Sequence, residues 1–405
     1  MDTKRFTVLV VDDISENINL AVSILISNNF NIGIADCGEK ALKYAEKNMP
    51  DLILLDIMMP EMDGFEVCRR LKNNKLTQNI PIIFLTAKSE KEFIVKGFEL
   101  GAVDYISKPF FEEELIARVK THLNLKKANL ELEIKNKNIT ASIQYARLIQ
   151  KAVLPEESFI NHFLPDNFVF YKPRDIVSGD FYWVRQIENQ IFISVADCTG
   201  HGVPGAFMSM LGIAYLNEIV YNHKSEIELT ADNILNTLRQ RIKQSLHQDK
   251  NNPTISDGMD MALCIINIEN RTLQYAGANN PLFLSRFNEQ TQQYEIHHYK
   301  ADRMPIAMYI KEEPFTNNHI ELQSNDIIYL FTDGFVDQFG SQSKRKFLSK
   351  NFKELLLENC SKPMHEQKEI LIQTFDNWRG DYRQVDDVLV FGFKISESYG
   401  DIEYF

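Results

Sequence analysis

Five short apolar runs, at residues 7–11, 32–35, 52–56, 82–86 and 103–106, alternate with amphipathic stretches through the first 123 residues. Runs this short and β-branched read as strands. Their alternation with helical stretches at 39–48, 65–73, 90–100 and 112–123 predicts a parallel, doubly wound five-stranded sheet. Another helix follows the first strand, with Ser15 placed to cap it. In such sheets ligands gather beyond the carboxyl ends of the strands. Chemistry-bearing residues stand there: Asp12 and Asp13 after the first run, Asp56 ending the third, Thr86 ending the fourth, and Lys108 after the fifth. Three carboxylates cannot share one corner ionised without compensation, so Mg²⁺ is the natural partner. A nucleophilic aspartate beside Mg²⁺ can take a phosphoryl group, with a hydroxyl and an ammonium ready for its oxygens. A nucleotide- or flavin-binding sheet of similar topology is the alternative, but no glycine-rich loop follows the first strand.

Residues 124–154 contain neither glycine nor proline. Leu125, Leu132, Ile139, Ala146 and Val153 recur every seven residues, and Ala128 and Ile149 give part of a second seam that Lys135 and Ser142 interrupt. A helical linker forming a weak parallel coiled coil is expected, with a solvated single helix as the alternative. Pro155 closes the segment.

From 155 to 396 the pattern changes to antiparallel strands with helical interludes, among them 230–246, 346–360 and 365–378. The expected α+β architecture is two stacked antiparallel sheets flanked by helices. The polar stretch 247–257 is expected to be mobile, and 397–405 to form a tail. The most informative stretch here is an apolar strand at 190–196 that ends on Asp197. A loop with Gly200, Gly202 and Gly205 follows, then an apolar helix from Ala206. Glycines let backbone approach an ion closely, and a carboxylate at a strand tip suits a hard cation. A plain strand–turn–helix junction with an acidic cap is the alternative.

Two families are resembled. Asp12-Asp13, Asp56-Ile-Met-Met-Pro60, Asp63-Gly64, Thr86-Ala87 and Lys108-Pro109 resemble a response-regulator receiver domain. The resemblance implies that Asp56 is the phosphoacceptor and that Asp12, Asp13, Asp56 and the backbone carbonyl of Met58 hold Mg²⁺. It makes Thr86 and Lys108 the phosphoryl-binding pair, Tyr105 the aromatic switch and Lys108-Pro109 a cis peptide. Asp197-Cys-Thr-Gly-His-Gly202 resembles the signature of metal-dependent serine/threonine phosphatases of the sporulation-stage-II-E kind (PPM-type). Ser178-Gly-Asp-Phe-Tyr-Trp183, Tyr275-Ala-Gly-Ala-Asn-Asn-Pro281, Phe331-Thr-Asp-Gly334 and Asp386-Asp-Val-Leu-Val390 appear in that family's order. Two Mn²⁺ or Mg²⁺ ions are then implied, held by Asp197 as the bridge, the backbone carbonyl of Cys198, Asp333 and Asp386, with Asp180 completing the catalytic set. Asp387 and Asp260 are candidates for a supporting role. Asn279-Asn280 replaces the Gly-His of many relatives, and His201 is expected to shape its loop more than to bind metal.

The chain has 405 residues, with 44% hydrophobic and 25% charged, enough for two or three globular domains. A net charge of -12 argues against nonspecific nucleic-acid binding, and nothing resembles a helix-turn-helix. Five scattered cysteines read as reduced thiols in a cytoplasm. No signal peptide is recognised, and no run approaches the ~18 apolar residues of a membrane span. The resulting expectation is a multidomain, cytoplasmic response regulator: receiver at 1–123, coiled-coil linker at 124–154, phosphatase at 155–396, tail at 397–405. Its implied partners are a sensor histidine kinase or phosphotransfer protein, a phosphorylated protein substrate with an anti-sigma-factor antagonist as candidate, and a second copy through the linker. A catalytically silent phosphatase-fold scaffold that binds partner proteins is the alternative.

Overall fold

The computed structural model describes residues 5–87, 91–221, 228–248 and 257–396. The expected tail at 397–405, and all but the ends of the polar stretch 247–257, lie outside the described residues. The chain forms two compact units, Met1–Ile139 and Thr140–Phe405.

The first unit holds β1 (Thr7–Val11), α1 (Ser15–Ser27), β2 (Asn31–Ala35), α2 (Gly38–Asn48), β3 (Leu52–Asp56), α3 (Gly64–Asn73), β4 (Ile82–Ala87), α4 (Lys91–Glu99) and β5 (Asp104–Lys108). The strands pair in parallel in the order β2-β1-β3-β4-β5. Both faces of the central strands are covered. Leu9, Val11, Ile53 and Leu55 join one apolar cluster, while Val8, Val10, Leu52 and Leu54 join the other. Burial on both sides explains the unbroken apolar runs. Helix α3 starts on Asp63, whose carboxylate accepts the Glu66 amide at 2.7 Å. Ser15 does not cap α1. The residue before that helix is Ile14, and its amide donates to Asp12 Oδ1 at 2.9 Å.

Helix α5 runs from Glu112 to Val153, so the expected last receiver helix and the linker are one element. Nothing in 112–153 breaks it, since it carries neither glycine nor proline. Leu125, Leu132 and Ile139 are each more than half exposed, and Ile149 nearly so.

The second unit continues with α6 (Glu157–Phe163), β6 (Asn167–Lys172), β7 (Phe181–Ile187), β8 (Gln190–Cys198), α7 (Gly202–Tyr221), α8 (Ala231–Ser245), β9 (Met259–Asn267) and β10 (Thr272–Ala278). Then come β11 (Leu282–Asn288), β12 (Gln293–Tyr299), β13 (Asn318–Glu321), β14 (Ile327–Phe331), α9 (Gly334–Asp337), α10 (Ser349–Asn359), α11 (Met364–Arg379) and β15 (Val388–Lys394). Two five-stranded antiparallel sheets result, ordered β13-β10-β9-β8-β7 and β12-β11-β14-β15-β6. Ile191, Ile193 and Val195 of β8 meet Leu330, Leu389 and Phe391 between the sheets. Phe192 and Ala196 face the other way, toward α7 and α8. A strand buried on both faces cannot show polar alternation, and β8 and β9 do not.

Helix α7 is long and apolar enough to cross a membrane by length and composition, which the sequence reading did not anticipate. Its residues Met208, Ile213, Leu216 and Val220 are buried in the core of the second unit.

The opposite outer layer is aromatic. Phe335 lies 4.8 Å from Phe352, 5.2 Å from Phe347 and 5.3 Å from Phe375, ring centre to ring centre. Phe335→Ala should destabilise the second unit by about 3–5 kcal/mol through cavity formation. Both tryptophans, Trp183 and Trp378, lie in that unit, so urea denaturation followed by their fluorescence reads it directly.

Candidate functional site

In the first unit, Asp12, Asp13 and Asp56 bring one carboxylate oxygen each within 4.8 Å of one another. Asp12 and Asp56 are buried and Asp13 is exposed. Lys108 Nζ bridges the two buried acids, at 2.6 Å from Asp12 Oδ2 and 2.7 Å from Asp56 Oδ1. The sequence ended the last strand at 106. It in fact extends to Lys108, which puts the ammonium at the sheet's carboxyl edge, followed by the cis Lys108–Pro109 peptide. Burial raises the Asp56 carboxyl above its ordinary range, and Lys108 opposes that rise. Gly64 closes the loop behind it; a Cβ there would sit 2.1 Å from the Asp56 carbonyl oxygen, so no larger residue fits. Thr86 and Tyr105 line one crevice with Phe98, whose ring meets Tyr105 edge-on at 6.3 Å. Arg118 lies 5.6 Å from the same ring and pairs with Asp104 at 2.6 Å. The Met58 side chain is exposed.

In the second unit the acids come from four separate junctions. Asp180 precedes β7, Asp197 lies at the end of β8, Asp333 follows β14, and Asp386 precedes β15. Asp197 pairs in register with Asp260 of β9, whose carboxylate accepts Asn279 Nδ2 at 2.8 Å. A cavity of about 330 Å³ is lined by Asp197, Cys198, His201, Asp260 and Asp386, among others. Asp180 is almost fully buried and accepts the Thr332 hydroxyl at 2.7 Å. His201 lines the same cavity, and its Nδ1 lies 3.0 Å from Asp175 Oδ2, joining two loops. Asp387 is also occupied elsewhere, accepting the amides of Arg174 and Gly179, each at 2.7 Å. The loops pack backbone to backbone. A Cβ on Gly205 would sit 2.1 Å from the Gly200 carbonyl oxygen.

Burial pushes Asp197 well above the usual carboxylate range, and Asp180, Asp333, Asp386 and Asp260 add to it. Asp180 is pushed up in the same way, against the Thr332 hydrogen bond. Asp333 is pushed up to about 6 by burial and by Asp337, Asp386 and Asp260, while a hydrogen bond with Asp197 opposes the shift. These acids are spread wider than the receiver trio: among the described residues, only Asp12, Asp13 and Asp56 meet the 4.8 Å spacing. An all-oxygen donor set of mutually repelling carboxylates fits hard divalent cations such as Mg²⁺ or Mn²⁺. Thr332, Arg174 and Asp175 were given no role in the sequence, whereas His201 was expected to shape its loop and its contact with Asp175 joins two loops. Each acts through contacts that only the fold creates.

A pH dependence follows. Asp333 titrates near 6 when folded, against 3.8 ordinarily. The folded state therefore binds more protons across that window, and stability falls as pH rises through it. In chelator, the second unit should melt lower at pH 7 than at pH 5. Mn²⁺ should raise the melting temperature more at pH 7, where the acids are ionised. Calorimetry with equal Mn²⁺ effects at both pH values would contradict this.

Comparison with known proteins agrees with this geometry. Residues 8–120 match the response regulator receiver domain, and residues 187–396 match stage II sporulation protein E (SpoIIE). Response regulator PleD of Caulobacter vibrioides is 42% identical over 114 residues, 28% of this chain and 25% of PleD. The alkaline phosphatase synthesis transcriptional regulatory protein PhoP of Bacillus subtilis is 47% identical over 116 residues, 29% of this chain and 48% of PhoP. The chain thus spans about a quarter to a half of these curated relatives. The solved SiaA-PP2C domain of Pseudomonas aeruginosa is 31% identical with a TM-score of 0.57, covering 65% of this chain and 99% of that domain. With more than half of its 405 residues in the second match, the chain belongs to the stage II sporulation protein E family, as a response-regulator receiver joined to a PPM-type phosphatase domain.

Proposed function

We propose that the chain hydrolyses phosphoserine or phosphothreonine in a protein substrate, under control of phosphorylation at Asp56. The observation that carries the reading is the convergence of Asp180, Asp197, Asp333 and Asp386 from four strand junctions onto one acidic cluster, each raised above its ordinary range by burial. Asp197, Asp333, Asp386 and the backbone carbonyl of Cys198 would hold two Mn²⁺ or Mg²⁺ ions. Such ions supply the charge that lets water lose a proton near neutral pH and that offsets charge developing on the phosphoryl group. The chain does the positioning. Thr332 fixes one oxygen of Asp180, and Asp387 pins the Arg174 and Gly179 amides so that the loops bearing the acids keep their spacing.

At the receiver, an Asp56 oxygen would attack the phosphorus of a phosphohistidine on a sensor histidine kinase or phosphotransfer protein, the O–P bond forming as the P–N bond breaks and the histidine nitrogen leaves. Asp12, Asp13, Asp56 and the Met58 carbonyl would hold Mg²⁺. Lys108 now bridges Asp12 and Asp56, and it would turn to the new phosphoryl oxygens. Thr86 would meet them from the crevice it shares with Tyr105, which couples the event to the Tyr105 ring. The substrate class that the family suggests is a phosphorylated anti-sigma-factor antagonist.

The test is Mn²⁺-dependent dephosphorylation of a phosphoserine protein, with and without acetyl phosphate. Asp197→Asn should abolish turnover by removing a carboxylate that would hold the ions. Asp56→Ala should leave turnover measurable yet blind to acetyl phosphate. A phosphorylated substrate bound but never turned over would instead favour a scaffold.

The seven-residue seam Leu125, Leu132, Ile139 on α5 is exposed and suits a second copy, giving a homodimer through the linker. Leu132→Lys with Ile139→Lys should shift the mass by light scattering from dimer to monomer. A wild-type chain that is monomeric at high concentration would rule the dimer out.

A further inference from the structure

One buried side chain joins the end of α5 to the loops that carry the acidic cluster. Gln150 is 6% exposed. Its Nε2 donates to the Ser178 carbonyl oxygen at 2.7 Å and to Ser209 Oγ at 2.9 Å. Its Oε1 accepts the Ser178 amide at 3.1 Å. The amide therefore grips both backbone groups of Ser178, as a neighbouring strand would. Ser178 lies two residues before Asp180, and its hydroxyl accepts the Asp180 amide at 3.1 Å. Between them, Gly179 packs so tightly that a Cβ would lie 2.7 Å from the Gly200 oxygen and 3.1 Å from the Cys198 oxygen. Ser209 belongs to α7, the helix that leaves the Gly200–Gly202 loop, and donates to the Ala206 carbonyl at 2.9 Å. One amide thus touches both segments that flank the acids, from a helix that contributes no acid itself.

We propose that Gln150 is a positioning residue of the phosphatase centre. By fixing Ser178 it sets the seat of Gly179 and Asp180 against the Cys198–Gly200 loop, and so holds the acids ready for a divalent cation. It rests on the metal-site reading above. Ser178 is fully buried, so when Gln150 moves, its amide and carbonyl have no water to replace the lost bonds. Any displacement of the end of α5 is therefore passed to Ser178, two residues before Asp180, through two hydrogen bonds from the Gln150 side chain to its backbone. Partners one step removed from metal ligands typically shift metal affinity by roughly 10–100-fold.

The experiment uses the full chain in an Asp13→Ala, Asp56→Asn background, which removes two of the three receiver carboxylates. Free Mn²⁺ is followed by electron paramagnetic resonance as protein is titrated, alongside turnover of p-nitrophenyl phosphate against Mn²⁺ concentration. Gln150→Met keeps the side chain's length without its hydrogen bonds. It should weaken Mn²⁺ binding by roughly 10–100-fold while turnover at saturating Mn²⁺ largely recovers. Ser209→Ala leaves both Ser178 bonds in place and should stay near the parent. A parent that binds Mn²⁺ and a Gln150→Met variant that binds it equally well would overturn the role of Gln150 alone. A parent that neither binds Mn²⁺ nor turns over would overturn the metal-site reading and this proposal with it. Should Gln150→Met fail to fold, hydrogen exchange on the parent decides. Mn²⁺ should slow exchange of the 146–154 and 176–182 peptides together, and protection confined to 176–182 would overturn the coupling.

Discussion

Like charge held out of water is the constraint to which the rest of this molecule answers. Two or more carboxylates in one dry corner repel one another and resist ionisation. The two units meet that problem differently. In the receiver, Lys108 stands between Asp12 and Asp56 as a built-in counter-ion. In the phosphatase unit, Arg174 and His201 ease Asp386, behind burial in influence. For Asp180, Asp197 and Asp333 burial leads, and neighbouring acids push in the same direction. Only a scaffold that cannot relax keeps them together. It is supplied by the apolar layer between the sheets and by β8, which is buried on both faces.

The central strands of the receiver and the sandwich were legible in sequence because burial on two faces leaves an apolar run with few competitors. The stretches 7–11 and 52–56 match β1 and β3 to the residue, and 190–196 lies within β8. Errors fell where tertiary contact overrides local pattern. The end of β5 carries polar Ser107 and Lys108, which pair with β4 although neither looks like a strand residue. Helices α6 and α9 are too short for an apolar period to emerge, at 7 and 4 residues. The continuity of α5 was implicit in the missing glycine and proline, but a change of composition near 124 suggested a boundary that the backbone does not have.

The acids of the second unit could be picked out because each sits at a strand tip inside a short polar motif. Their supports could be picked out only in part, in His201 and Asp387. Thr332 reaches Asp180 across 152 residues, His201 reaches Asp175 across 26, and Gln150 reaches Ser178 across 28. Nothing local marks a threonine or a glutamine for such a task. Gln150 in particular looks like any polar residue on a solvated helix, and only the surrounding packing turns it inward.

Asp386 and Asp387 carry the same side chain on adjacent residues, yet the fold gives them different work. Asp386 lines the acidic cavity, while Asp387 is buried and saturated by two backbone amides. Chemical redundancy along the chain is therefore no redundancy in space. If Asp386 were lost, its neighbour could take its place only by abandoning Arg174 and Gly179, which would dismantle the loop that seats Asp180. A repeated acid here gives no spare part.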